Sequence, residues 1–100
     1  MSSEKIDLLN RIEDMNERLE KAREILEKLE RAVSEYNSIK EDVRILQEYM
    51  ESGRWQLDFE ADEAGKVPDY VPRGVLSEDG LYNFLERKDE ILSTARRDLI

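Results

Sequence analysis

Apolar residues recur along the first third of the chain at Leu8, Ile12, Met15, Leu19, Ala22, Leu26, Leu29, Val33 and Tyr36. The intervals alternate four and three without interruption. This is the a/d stripe of a heptad, which keeps one seam of a helix facing a partner. Acid-to-base pairs four residues apart occupy the other faces: Asp7 with Arg11, Asp14 with Arg18, Glu17 with Lys21, Glu24 with Lys28 and Glu27 with Arg31. Each has the order that supports a helix, by a few tenths of a kcal/mol. No glycine or proline precedes Gly53. The pattern predicts a long helix from about residue 3.

Beyond Val33 the phase slips. The next stripe reads Ala32, Tyr36, Ile39, Val43, Leu46, Met50. One reading is a continuous helix with a three-residue stammer. The other, which the pattern favours, is a break near 34–38: helices at about 3–34 and 38–52, with Ser38 as cap and Glu41 completing a capping box. Ser34, Asn37 and Ser38 all fit poorly inside a helix. Gly53 is a natural stop for the element, in the left-handed conformation of a helix C-terminus.

Trp55, Leu57, Phe59 and Ala61 then alternate with polar residues, but no second strand-like run exists to pair with them, and a lone strand is not stable. A short helix over 54–63, with Trp55 and Phe59 on one face and Gly65 ending it, is favoured over an extended segment. Pro68, Pro72 and Gly74 keep 65–76 irregular. Ser77 is the expected cap of a last helix, 77–98, with Glu78 and Asp79 in its first turn, Arg96 and Arg97 in its last, and an apolar face of Leu81, Phe84, Leu85, Ile91, Leu92, Ala95 and Leu99. The fold expected is one all-α domain over 1–100, a small bundle or coiled-coil-like assembly. Leu19, Leu26 and Leu29 are expected to pack on Phe84, Leu85 and Leu92. A continuous first helix would run about 75 Å against about 33 Å for the last one, so part of the seam would need a second chain.

Charge narrows the functional classes. Acidic and basic residues number 25 and 16, a net charge of −9. Residues 51–80 carry eight acidic and three basic side chains, the densest excess. Nucleic acids and anionic membranes call for basic surfaces, so neither is an expected partner. Cysteine and histidine are both absent. Disulfides and thiolate chemistry are thereby excluded, along with the commonest neutral-pH base and metal ligand. No apolar run resembles a signal-peptide core or a membrane span, which makes the cytoplasm the expected compartment.

Two stretches carry a resemblance: Trp55 with Asp58-Phe59-Glu60-Ala61-Asp62-Glu63-Ala64-Gly65-Lys66, and Arg73-Gly74-Val75-Leu76-Ser77-Glu78-Asp79-Gly80-Leu81-Tyr82. Following an acidic, heptad-like front half, they resemble a bacterial and phage family known as domain of unknown function 4298. That family carries no assigned activity, so the resemblance implies architecture and no catalytic residues.

The candidate chemistry is sparse. Asp58, Glu60, Asp62 and Glu63 offer oxygen ligands of the kind Mg²⁺ or Ca²⁺ takes, but without the glycine and glutamate of an EF-hand loop. The cluster reads better as a solvated acidic face, anchored by Trp55 and Phe59. Arg73 is expected to bridge to Asp58 or Asp62 and pin the irregular segment. Ser77 has no base beside it and is read as a cap rather than a nucleophile. Tyr70, in the loop, is a candidate partner contact. No catalytic, cofactor or metal residue is assigned. The expected function is a non-enzymatic protein–protein interaction module acting through its helical seam and acidic middle segment, forming a dimer or binding another helical protein. The alternatives are an acidic nucleic-acid mimic that inhibits a basic protein and a divalent-metal enzyme.

Overall fold

The computed structural model describes residues 2–77 and 79–100. Its helices are α1 (Ser3–Glu51), α2 (Arg54–Glu63) and α3 (Gly80–Asp98), with a 3₁₀ turn at Gly74–Leu76. The chain divides into two units, Met1–Ile39 and Lys40–Ile100, and the boundary falls inside α1.

Ser2 starts α1: its carbonyl accepts from the Lys5 and Ile6 N–H groups, and its Oγ accepts from Lys5 N at 3.3 Å. Within the first unit the ion pairs Asp14–Arg18 and Glu24–Lys28 run along the helix surface. Every described side chain there is exposed except half-buried Tyr36. The expected burial of Leu19, Leu26 and Leu29 is therefore corrected: they are 52%, 65% and 40% exposed. Phe84 and Leu92, named with them, are also exposed, at 41% and 37%.

The expected break near 34–38 is likewise absent, and helices 3–34 and 38–52 are one element. Ser38 does not cap. Its hydroxyl donates to the Glu35 carbonyl at 2.6 Å, a bond that lets serine sit inside a helix. Glu41 does not close a capping box either. Its carboxylate accepts from Arg44, which also donates to Glu48 at 2.5 Å. The hydrogen bonds from Arg44 hold the Glu41 carboxyl below its ordinary range, and the two carboxylates raise the guanidinium's pKa. Ser38, one of the polar residues that suggested a break, is thus satisfied inside the helix.

In the second unit α1 ends at Glu51, and Gly53 turns the chain at φ 85°. After α2, the Gly65 N–H bonds to the Asp62 carbonyl and the Lys66 N–H to the Ala61 carbonyl, with Gly65 at φ 74°. That pair of bonds is the Schellman closure, which requires a left-handed residue and so favours glycine. Among the described residues the buried apolar side chains are Val43, near the end of α1, and Leu81 and Leu85, near the start of α3.

The start of α3 differs from expectation. The helix begins at Gly80 and not at Ser77, and Asp79 precedes it without a side-chain capping bond. Ser77 instead closes the 3₁₀ turn, its N–H bonded to the Gly74 carbonyl at 3.1 Å. A Cβ at position 80 would lie 2.2 Å from Ser77 Oγ and 3.3 Å from the Gly74 carbonyl oxygen, so a larger residue there would require the Ser77 hydroxyl to rotate away. Glu78, expected in the first turn, lies outside the described residues.

Candidate functional site

The sequence places most of its candidate residues between 55 and 77, and the structure gives these two distinct arrangements. The first is an aromatic clasp. One helical turn separates Trp55 from Phe59, and their rings stack at 5.1 Å with planes 16° apart. The indole Nε1 donates to the Val75 carbonyl at 2.8 Å. This bond ties α2 to the 3₁₀ turn across twenty residues of chain, giving a half-buried tryptophan a partner for its one polar atom.

The second arrangement is centred on Arg73. Its Nη1 donates to Asp62 Oδ1 at 2.5 Å and to the Val67 carbonyl at 3.3 Å, and its Nη2 donates to Asp69 Oδ1 at 3.1 Å. The Arg73 side chain is about two-thirds covered. Its pKa is raised, first by the bond to Asp62 and then by that to Asp69. The planar fork is thus divided between two carboxylates and a carbonyl, which fixes the loop at three points. Of the two carboxylates expected to hold Arg73, Asp62 does so. Asp58 accepts instead from Tyr49 Oη at 2.6 Å. Burial, then Asp58, pushes the Tyr49 phenol up to about 12.

The acidic segment is accordingly divided among separate partners: Asp58 with Tyr49, Asp62 with Arg73, and Glu60 with the Gln56 amide at 3.3 Å. Among the described residues no three carboxylates converge to hold a cation. Tyr70 stands 84% exposed. Ser77 is exposed and serves the turn described above. Sequence reasoning missed three participants. Asp69 precedes Arg73 by four residues, a spacing that did signal a pair. Tyr49 with Asp58 and Trp55 with Val75 left no local trace, since their separations of nine and twenty residues are set by the turns between them.

These features define an all-α protein: a long heptad-patterned helix, a short acidic helix, and a last helix whose start carries buried Leu81 and Leu85. The chain belongs to the family described as Domain of unknown function (DUF4298), whose model matches residues 12–97. Both stretches that carried the resemblance lie within that match. Comparison with curated proteins and with solved structures finds no match. No helix among the described residues is long and apolar enough to cross a membrane.

Proposed function

We propose that the protein is a non-enzymatic protein–protein interaction module of the cytoplasm, whose working surface is the apolar seam of α1 between Leu8 and Tyr36. The observation that carries this reading is exposure along a regular stripe. Leu8, Ile12, Met15, Leu19, Leu26, Leu29 and Val33 are each 40% or more exposed. Single exposed apolar residues need no explanation, but a continuous row at heptad spacing presents the knobs that a second helix takes between its own side chains. The partner class is therefore a helix with a matching seam, in a second copy or in another protein.

The middle segment supports this reading in a different way. Its carboxylates and aromatics hold their own loop in place, and Tyr70 adds one exposed ring beside it. An acidic mimic of nucleic acid gains less support, because Asp58 and Asp62 are engaged within the chain.

The test is site-specific photocross-linking in the source cell. A cross-linker at Leu26, on the seam, should capture a partner, either a second copy or another helical protein. The same group at Glu24, on the outer face, should capture little. Equal capture at the two positions would refute the seam as the working surface.

A further inference from the structure

We infer that the occupant of the seam is a second copy of this chain, lying antiparallel, with Leu26 against the partner's Leu29. This rests on the seam reading above and adds to it the identity, direction and register of the partner.

Direction and register follow from the residues that flank the seam. With Ile12, Leu19, Leu26 and Val33 at a and Met15, Ala22, Leu29 and Tyr36 at d, Arg23 and Glu30 occupy e positions. Arg18, Ile25 and Ala32 occupy g positions. A parallel dimer pairs each g residue with the partner's e residue five positions on. That brings Arg18 to the partner's Arg23 and Ile25 to the partner's Glu30, twice each by symmetry. Nothing in that arrangement is complementary.

An antiparallel dimer pairs e with e and g with g. When Leu26 faces the partner's Leu29, Arg23 faces the partner's Glu30 in both directions. Ile25, 56% exposed in the single chain, then meets the partner's Ala32. Within the seam Ala22 faces the partner's Val33 and Leu19 the partner's Tyr36, so small residues oppose large ones. The register is bounded on both sides. A slip of one heptad in one direction sets Arg23 against the partner's Arg23. A slip in the other sets Glu30 against the partner's Glu30. Like charges at such flanking positions are what specify register in coiled coils. Arg23 and Glu30 are also available for this role. Asp14 with Arg18 and Glu24 with Lys28 pair along the helix, whereas among the described residues Arg23 and Glu30 are in no ion pair.

Electron-spin distance measurements decide the direction. The chain has no cysteine of its own, so spin labels can be placed singly at Asn10→Cys and Glu24→Cys, both on the outer face. In the antiparallel dimer the two labels at residue 10 lie about 50 Å apart along the axis, and those at residue 24 about 10 Å apart. Equal distances at both positions would mean a parallel dimer and overturn the proposal. Charge reversal gives an independent sign. Arg23→Glu should weaken the dimer about ten-fold, by replacing two attractive pairs with two repulsive ones, and adding Glu30→Arg should restore it. A parallel dimer would instead tighten on Arg23→Glu, because the new carboxylate would face the partner's Arg18. A monomer mass by light scattering at tens of micromolar would overturn self-association. Capture of a different helical protein at Leu26 would then still leave the seam as the working surface.

Discussion

At the scale of single residues, Tyr49 and Arg73 are two side chains of the second unit whose ionisation their surroundings shift upward. Tyr49 ionises near 10 when unhindered, and in the fold it is pushed up to about 12. Its neutral form therefore contributes stability that is fully present below pH 10. That contribution is lost as the pH rises towards 12, because a phenolate would be buried beside Asp58. Ultraviolet titration should show a tyrosine ionising near pH 12. Tyr49→Phe should remove that late step, and Asp58→Asn should bring it only part of the way back, since burial is the larger cause. If Tyr49→Phe leaves the titration near pH 12 unchanged, burial and Asp58 do not hold Tyr49. For Arg73, alanine should lower the thermal midpoint by releasing Asp62, Asp69 and the Val67 carbonyl together. Arg73→Lys should recover part of this, because an ammonium lacks the planar fork. An Arg73→Ala chain that melted normally but failed to bind would make Arg73 a contact residue.

At the scale of elements, the outcome turned on how polar residues were satisfied. Ser34, Asn37 and Ser38 read as a break because such side chains compete for the backbone. Ser38 resolves that competition inside the helix, and the neighbouring Arg44 with Glu41 and Glu48 reinforces the next turns. The heptad pattern of α1 was legible because it is local and repeats every seven residues. The start of α3 was not, because Ser77, Asp79 and Gly80 all fit a helix beginning, and the 3₁₀ turn that claims Ser77 depends on where Trp55 anchors Val75. Element ends give a direct test of backbone geometry. Gly65→Ala should destabilise the second unit by roughly 1 kcal/mol, since its φ of 74° disfavours any side chain. Thermal melts of the two chains check this, and equal midpoints would argue against the Schellman closure.

At the scale of the whole molecule, the two units call for different tests. Val43, Leu81 and Leu85 are the buried apolar residues of the second unit, so Leu85→Ala should cost about 2–5 kcal/mol in its unfolding. Leu26→Asp should behave otherwise. A buried Leu26 would make that change unfold the chain, but its 65% exposure moves the effect to association. The variant should keep the Trp55 fluorescence transition of the second unit while abolishing the rise of helix melting temperature with protein concentration. Loss of both together would place Leu26 in the folding core after all.

The sequence by itself determined what depends on neighbours within a few turns. It set the all-helical class, the heptad seam, the left-handed stop at Gly53, the end of the short helix at Gly65, the placing of Trp55 and Phe59 on one face, and the shortage of cations that sends Arg73 to a carboxylate. Each follows from helical periodicity or local charge balance, which linear order records directly. Only the tertiary structure decided which carboxylate Arg73 takes, which carbonyl receives the indole, that Asp58 belongs to Tyr49, and that Val43, Leu81 and Leu85 are buried while the seam stays exposed. Those outcomes depend on distances between segments nine to forty residues apart. Several partners there have the same chemistry, and the path of the connecting turns selects among them.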